Sequence, residues 1–230
     1  MSHVVVMAKA PAPGLVKTRL CPPCSPDQAA LVAEAALVTT LAAVAACSAS
    51  RRIVALAGPP GPWLPSGFEV LHQHGDGFAR RLANAWADAG TGGIQIGMDT
   101  PQVSPADLDA VLDTLAAPGT DAVLGLAEDG GWWVIGLRYP PTAAHELFRG
   151  VPMSTPTTGA AQLARLRRVG LRVTVVGRHR DIDTWADATA VAATIPATPF
   201  AGAIRTVAAS LPRRPILEAE RAPVDAVVCT

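Results

Sequence analysis

The sequence has few aromatic residues, few charges and no net charge. Aromatic residues make up 4% and charged residues 17% of the 230 positions, and 19 basic side chains balance 19 acidic ones. Without an overall positive field, the chain lacks the charge pattern of a nucleic-acid-binding or membrane-surface protein. Any nucleotide that it binds must therefore be held by a local site.

Long runs of strongly apolar residues are also missing. The most apolar stretch, residues 29–47, is rich in alanine and contains Glu34, Thr39 and Thr40, so we expect no membrane span. Apolar residues begin at Val4 with no Lys or Arg before them, which is unlike a signal peptide. We therefore expect a cytoplasmic protein.

Several common site signatures are lacking. Cys21 and Cys24 form a CxxC pair, but no second Cys or His pair completes a zinc site, and we interpret them as reduced loop cysteines. His72 and His74 lie near Asp76 without an obvious third ligand. No Walker loop, GxGxxG or GxSxG motif is found. The site must be sought elsewhere.

Half of the residues are hydrophobic, and short apolar runs alternate with helical patterns. We predict strands at residues 4–8, 53–57, 68–71, 94–98, 122–126, 132–137 and 171–176. We predict a long amphipathic helix at 26–47 and further helices at 78–89, 105–116, 156–169, 185–193 and 203–211. This alternation predicts a three-layer α/β/α fold with a mostly parallel sheet. We expect one domain at residues 1–194 and a C-terminal appendage at 195–230.

The loop after the first predicted strand is the first candidate site. Lys9, Lys17 and Arg19 place three cations in a loop that is otherwise uncharged, and Gly14 lets the backbone fold closely over a ligand. Cations and free loop amides suit a diphosphate. A solvated surface loop is the slightly favoured alternative on composition alone.

Acidic residues follow two other predicted strands. Asp99 ends the 94–98 strand, where it either serves a site or caps a turn. Asp181 and Asp183 precede the last core helix, where they either ligate Mg²⁺ or Mn²⁺ or cap the helix. If Asp99 and Asp183 converge, a cation bound there would neutralise a diphosphate leaving group.

A segment between two predicted strands supplies the third candidate. Asp129 precedes Gly130 and Gly131, which permit a tight turn and place its carboxylate where a substrate hydroxyl can be met. Trp132 and Trp133 follow, and alternation along a strand sends one ring into the core and the other towards the opposite face. We expect one Trp to be structural and the other to pack on a sugar or base.

Four motifs together resemble a bacterial family of GT-A-like transferases, formerly a domain of unknown function and often labelled glycosyltransferase-like or selenodomain-associated transferase 1. They are VMAKAPAPGLVKTRL at residues 6–20, GMDTP at 97–101, LGLAEDGGWWVIGL at 124–137 and DIDTWAD at 181–187. The resemblance runs from about residue 3 to 192. It implies the nucleotide-diphospho-sugar transferase (GT-A) fold.

The resemblance and the residue patterns together suggest roles for particular residues. The nucleotide and its phosphates would be held by Ala8, Lys9, Gly14, Lys17, Arg19, Gln73 and Arg81. Asp99 would hold Mg²⁺ or Mn²⁺ with Asp183, and substrate would contact Asp129, Gly130, Gly131 and Trp132. Asp99, Asp129 and Lys17 would carry the chemistry.

The chain departs from the family pattern at several positions. Gly77 stands where an Asp is usual, Ala79 where a Gly is usual, and Thr100 where a Cys is frequent. Trp132 and Trp133 replace tyrosines, which removes two hydroxyl groups. The resemblance therefore gives a fold and a site without a specific reaction.

The leading hypothesis is a metal-dependent transferase that uses a nucleotide-activated donor, an NDP-sugar, and an unknown acceptor. The first alternative is nucleotidyl transfer, in which an NTP is attacked by a phosphorylated acceptor and pyrophosphate leaves. The second alternative is a nucleotide- or sugar-binding module without catalysis.

Overall fold

A seven-stranded sheet forms the middle layer of the part of the chain that the structure describes. The computed structural model describes residues 2–139 and 144–212. Its strands are β1 (His3–Lys9), β2 (Arg51–Ala57), β3 (Glu69–His72), β4 (Gly93–Gly97), β5 (Ala122–Ala127), β6 (Trp132–Leu137) and β7 (Val173–His179). Their spatial order is β3-β2-β1-β4-β6-β5-β7.

Helices cover both faces of this sheet, as the alternation predicts. They are α1 (Pro26–Ala46), α2 (Phe78–Ala89), α3 (Pro105–Ala116), α4 (Ala144–Phe148), α5 (Thr158–Arg168), α6 (Trp185–Thr194) and α7 (Pro199–Ser210). The sequence pattern did not indicate the short α4, because five residues are too few to show a helical period. Every strand and every longer helix was predicted, with ends that differ by a few residues.

The sheet is mostly parallel, with one reversal. Strands β1, β2, β3 and β4 run parallel, and β5 pairs in parallel with β7. Strand β6 runs antiparallel to both β4 and β5. A short turn joins β5 to β6, and such a connection allows only an antiparallel pair. The predicted three-layer α/β/α fold class is confirmed.

Alternation along β1 builds the two halves of the core. Val4, Val6 and Ala8 pack with buried residues of α1 and α3 on one face of the sheet. Val5 and Met7 pack on the other face with residues of α2, α4 and α5. A strand whose two faces are both covered has a continuous run of apolar residues, and this run is why the strand could be predicted from the sequence.

Helix α1 is buried on two sides, which corrects the prediction that it is amphipathic. Leu37, Leu41 and Val44 face the sheet, whereas Val32 and Ala36 pack against α6 and α7. Among the described helices it alone has the length and hydropathy to cross a membrane, and 61% of its most apolar stretch is buried within the protein. Burial on two faces accounts for its composition.

The described part of the predicted C-terminal appendage is a helix of the outer layer. Helix α7 packs on α1 and α6, with Phe200 and Ile204 in a third apolar cluster. Its first turn is capped by Thr198, whose hydroxyl accepts a hydrogen bond from the amide of Ala201. Residues 213–230 lie outside the described residues, and the domain boundary at residue 194 stays a prediction.

His3 is a buried titratable residue at the start of β1. Its Nδ1 atom lies 2.8 Å from the Thr91 hydroxyl, and its ring packs against Trp86 at a centroid distance of 5.2 Å. Burial, helped by the nearby Arg51 guanidinium, lowers the pKa of His3 to about 4. The folded protein therefore keeps this ring neutral.

Acid should destabilise the protein partly through His3. Between the ordinary histidine pKa of about 6.5 and the folded value of about 4, the unfolded chain binds a proton that the folded chain does not. The stability that wild-type His3 contributes at neutral pH is thus lost as the pH falls through this window. We predict that the free energy of unfolding of wild type, relative to His3→Phe, drops by about 2 kcal/mol between neutral pH and roughly pH 4.5.

Urea denaturation of both proteins at a series of pH values measures this difference. The comparison with His3→Phe removes the contributions of other titrating groups, which both proteins share. A difference in unfolding free energy that does not change with pH would contradict the assignment.

Candidate functional site

The site lies at the sheet edge where β1, β4, β5 and β7 end and β6 begins. After β1 the chain crosses to β2 on one side, and after β4 it crosses to β5 on the other. The two connections therefore diverge and leave a crevice between them. In open α/β sheets such a switch in strand order is the usual position of a ligand site.

Lys17 lies at the centre of this crevice. Its Nζ atom is 2.9 Å from Oδ1 of Asp99 and 3.7 Å from Oδ1 of Asp183, and its side chain is only 7% exposed. Its backbone has a φ of 47°, in the left-handed region that side chains other than glycine rarely adopt. Because such strain tends to accumulate at functional sites, the backbone also indicates a role for this residue.

A backbone hydrogen bond brings the two acidic segments together. The amide of Ile182 donates to the carbonyl oxygen of Asp99 at 3.0 Å, which joins the segment after β7 to the segment after β4. Asp183 also accepts a hydrogen bond from Nη1 of Arg19 at 2.9 Å. The structure therefore brings Asp99, Asp183, Lys17 and Arg19 into one charged cluster.

Asp181 and Asp183 do not cap the following helix. Thr184 is the N-cap of α6: its hydroxyl accepts from the amide of Asp187, and the Asp187 carboxylate accepts from the Thr184 amide. Because this reciprocal capping box satisfies the helix start, α6 needs no cap from Asp181 or Asp183. The alternative of helix capping is excluded for these two residues.

Asp181 lies in a negative environment. Burial is the main reason why the pKa of Asp181 is raised to about 8; the carboxylates of Asp129, Asp99 and Asp183 add to this rise, and Lys17 opposes it. Asp181 is therefore mostly protonated at neutral pH, and the carboxylates of Asp129, Asp99 and Asp183 around it carry more negative charge than Lys17 offsets. A site of this kind favours a bound cation.

A cationic cavity of about 280 Å³ opens on one side of Asp99. Its lining residues are Lys9, Leu15, Val16, Lys17, Thr18, Arg19, Met98, Asp99 and Asp183. Lys9 also donates from Nζ to the carbonyl oxygen of Leu15 at 2.8 Å, which closes the loop on itself. Gly14 makes the turn of this loop possible with a φ of +73°.

A second, aromatic cavity of about 210 Å³ opens on the other side of Asp99. Its lining residues are Met7, Phe78, Leu82, Ile96, Gly97, Asp99, Thr100, Asp129, Gly131, Trp132, Trp133, Met153, Ser154, Thr155, Thr158 and Asp181. Asp99 lines both cavities. It therefore stands at the boundary between a cationic and an aromatic compartment.

The turn at Asp129 forms one wall of the aromatic cavity. Oδ1 of Asp129 accepts a hydrogen bond from the amide of Gly131 at 2.8 Å, so the carboxylate shapes its own turn. The carbonyl of Gly130 accepts from the amide of Gly159 at the start of α5 at 2.8 Å. A Cβ atom on Gly130 would collide with the backbone of Pro156. Gly130 thus permits the close contact between this turn and the 153–158 segment.

The two tryptophans take different positions, as their alternation predicts. Trp133 is buried, donates from Nε1 to the carbonyl of Gly177 at 2.8 Å and packs edge-on against His179. Trp132 is half-buried on the opposite face of the sheet. Both residues line the aromatic cavity, but Trp132 is the one whose side chain retains solvent-exposed surface.

Four of the predicted nucleotide-binding residues, Ala8, Gly14, Gln73 and Arg81, are not among the lining residues of either cavity. The Gln73 amide donates to the carbonyl oxygens of Ala8 and Ala55 at 2.9 and 2.8 Å, which ties the end of β3 to its neighbours. Arg81 packs against the ring of Phe78 at 5.7 Å from its centroid. In this structure Ala8 and Gln73 support the sheet, and Arg81 supports a residue of the cavity wall.

Sequence reasoning missed part of the aromatic cavity. The wall at residues 153–158 is brought to the site by the contact with Gly130, and nothing in its sequence points to that contact. The unusual feature of this segment is the backbone of Ser154, a non-glycine residue with a φ of 58°, and that feature is known only from the structure. Thr100 could be noticed in the sequence because it departs from the family motif, but the sequence assigned it no role in the site.

Within residues 2–139 and 144–212, no three His, Cys, Asp or Glu side chains are arranged to hold a metal ion among themselves. Asp99 and Asp183 bring two carboxylates to one point, around the ammonium group of Lys17. Mg²⁺ is commonly held by one or two carboxylates together with substrate phosphates and water. The donor set of this chain therefore fits a cation that binds with its phosphate ligand.

A sequence profile of bacterial proteins described as "Uncharacterized protein conserved in bacteria (DUF2064)" matches residues 29–155, more than half of the chain. The chain belongs to the DUF2064 family. The family resemblance seen in the motifs is thereby confirmed. No curated protein matches the sequence.

Solved structures show the same fold. A candidate nucleotide-diphospho-sugar transferase from Desulfovibrio desulfuricans G20 superposes with a TM-score of 0.81 at 23% identity, covering 90% of this chain and 95% of that one. A cytidylyltransferase from Leptospira borgpetersenii gives 0.54 at 12% identity over 91% and 94% of the chains. CMP:2-keto-3-deoxy-manno-octonic acid synthetase with CTP gives 0.51 at 15% identity over 85% and 99%. The fold of this DUF2064 protein is that of nucleotide-dependent transferases.

Substituting Gly130 tests how the aromatic cavity is assembled. Alanine at this position has an unfavourable φ of +91° and also meets the Pro156 backbone. Gly150, with a φ of +72° and open space around it, is the matched control. We predict that Gly150→Ala costs about 1 kcal/mol of stability and that Gly130→Ala costs at least about 1 kcal/mol more.

Urea denaturation of the two variants gives the comparison. Equal losses of stability would show that the 153–158 segment is not held by this contact.

Proposed function

We propose that this DUF2064 protein is a metal-dependent transferase that uses a nucleotide-activated donor, an NDP-sugar. The observation that carries the proposal is the meeting of two cavities of different character at Asp99. A nucleotide-sugar carries a nucleoside on one side of a charged diphosphate and an uncharged sugar on the other. The diphosphate and the sugar each find a compartment of matching chemistry on one side of Asp99.

The cationic cavity suits the diphosphate. Lys17 and Arg19 both pair with Asp183, and a phosphate entering this cavity meets their positive charges from the solvent side. Charge-assisted hydrogen bonds from Lys and Arg to phosphate are among the strongest polar contacts in proteins. Lys17 would also stabilise the negative charge that develops on a leaving diphosphate.

Asp99 and Asp183 would hold Mg²⁺ or Mn²⁺. Two carboxylates that lie around one ammonium group mark a point where positive charge is favoured, and oxygen ligands suit a hard cation. A bound divalent ion would supply charge neutralisation to the leaving diphosphate. Asp129, on the aromatic side, would orient or deprotonate a substrate hydroxyl.

Nucleotidyl transfer is the second candidate, because solved cytidylyltransferases share the fold. In that reaction a phosphorylated acceptor attacks an NTP and pyrophosphate leaves. The same Lys17 and the same cation would serve it. Release of pyrophosphate from an NTP, measured with a panel of sugar phosphates, separates the two reactions.

Loss of Asp99 should remove the metal dependence of nucleotide binding. We predict that UDP or GDP with Mn²⁺ raises the melting temperature of wild type, because a ligand at a hundredfold excess over its dissociation constant adds roughly 2.7 kcal/mol. Asp99→Asn should lose the part of this increase in melting temperature that depends on Mn²⁺. The matched control is Asp113→Asn, an exposed carboxylate on α3, which should keep it.

Lys17→Met separates phosphate binding from cation binding. Removing the ammonium group leaves Asp99 and Asp183 without Lys17 as their partner, so Mn²⁺ alone should bind at least as well as to wild type. Affinity for the nucleoside diphosphate should fall at least tenfold, as measured by isothermal titration calorimetry. Full nucleotide affinity in Lys17→Met would overturn the phosphate assignment.

A further inference from the structure

The aromatic cavity differs from the cationic cavity in the sign of its charge. Its acidic lining residues are Asp99, Asp129 and Asp181, and no Lys, Arg or His is found among its described lining residues. A phosphate monoester carries nearly two negative charges at neutral pH. Even with Asp181 protonated, it would therefore enter this cavity against the carboxylates of Asp99 and Asp129, with no cationic side chain in the lining to receive it.

A bound divalent cation changes this balance only in part. In the proposed site the cation is held by Asp99 and Asp183, and the donor diphosphate already brings negative charge to it. Asp129 and Asp181 stay on the aromatic side of Asp99. The compartment beyond the cation remains unfavourable for a second phosphate.

Thr100 provides an independent observation of a ligand. It is 2% exposed and lines the cavity, yet its hydroxyl has no hydrogen-bond partner among the residues that the structure describes. A buried hydroxyl without a partner loses its hydrogen bonds to water and gains none in return. A ligand hydroxyl in the cavity would supply the missing partner.

The remaining walls suit a small ligand that has both apolar and polar faces. Trp132 and Phe78 are the aromatic residues of these walls. Ser154 and Thr155, which bear hydroxyl groups, belong to the wall formed by the 153–158 segment. The Thr158 hydroxyl is occupied, because it donates to the carbonyl of Pro152 at 2.7 Å. Sugars and polyols combine apolar C–H faces with hydroxyl groups, and aromatic rings commonly pack on such faces.

We propose that the aromatic cavity binds an uncharged, hydroxyl-bearing group, a sugar or polyol, and rejects its phosphorylated counterpart, with Thr100 as a specificity-determining residue. This inference rests on the proposed function and deepens it, because it assigns the class of substrate on the second side of Asp99. It favours glycosyl transfer to an acceptor that bears no phosphate over nucleotidyl transfer to a sugar phosphate.

Paired probes test the charge preference directly. Two pairs of probes are titrated into the protein by isothermal titration calorimetry, each with UDP or GDP and Mn²⁺ present. Methyl glucoside is compared with glucose 1-phosphate, and glycerol is compared with glycerol 3-phosphate. We expect a neutral probe to bind at least tenfold more tightly than its phosphorylated partner. Equal or tighter binding of the phosphorylated probes, or no binding of either neutral probe in the high-millimolar range, overturns the proposal.

Thr100→Val keeps the shape of the side chain and removes the hydroxyl. Since the hydroxyl has no partner within the described protein, the variant should melt at the same or a higher temperature than wild type. Its affinity for the neutral probe should nevertheless fall at least threefold. Thr206→Val on α7, remote from the site, should bind the probe as wild type does. An unchanged affinity in Thr100→Val would show that the hydroxyl has no role in specificity.

A gained cation should reverse the preference. Met153→Lys places an ammonium group on the cavity wall, whereas Met153→Leu keeps the wall apolar. Met153→Lys is expected to bind glucose 1-phosphate at least tenfold more tightly than Met153→Leu does. Comparable weak binding in both variants would show that charge in this cavity does not decide the specificity.

The same titrations keep the two proposals apart. If UDP and GDP bind with Mn²⁺ but the phosphorylated probes are preferred, the charge inference fails while the transferase site stands, and nucleotidyl transfer becomes the better assignment. If neither nucleoside diphosphate binds with Mn²⁺, the proposed function itself fails.

Discussion

The ion cluster of Lys17 with Asp99 and Asp183 is the interaction on which the site depends. Each member lies in the segment after a different strand, and hydrogen bonds from the Ile182 amide to the Asp99 carbonyl and from the Gln102 side chain to the Arg180 carbonyl join the two acidic segments. The sheet order makes this possible, because β1 and β4 are neighbours whose connections diverge. Packing the strands therefore assembles the charges, and the strained backbone of Lys17 is held in place by that assembly.

Asp99 gives the site its division into two parts. On the Lys17 side the protein offers cations to a diphosphate, and on the Trp132 side it offers aromatic surface, hydroxyls and further carboxylates. In the proposed function, the anionic part of the ligand lies on the Lys17 side and its uncharged part on the Trp132 side. This difference in charge supports a nucleotide-activated sugar donor, which the fold alone does not distinguish from the substrates of nucleotidyl transfer.

Much of this arrangement could be predicted from local sequence. Continuous apolar runs such as 4–8 and 94–98 are typical of strands covered on both faces, and the rule that ligands bind beyond strand ends leads directly to Asp99. The same rule leads to Asp183, which follows another predicted strand. The reversal at β6 and the two-sided burial of α1 were not predicted, because both depend on which elements become neighbours.

The least predictable part of the site is the wall that distant segments share. The 153–158 segment reaches the cavity because Gly130 lets two backbones meet, and a glycine in a sequence does not say which backbone will approach it. For Gln73 and Arg81 the family resemblance suggests nucleotide contact, the structure shows supporting contacts within the protein, and their role in nucleotide binding stays a prediction.

The most direct test is a crystal structure of the protein with an NDP-sugar and Mn²⁺. We expect the diphosphate against Lys17 and Arg19, the metal between Asp99 and Asp183, and the sugar towards Trp132 and Thr100. Diphosphate density in the Trp132 cavity, or metal density away from Asp99, would contradict this expectation.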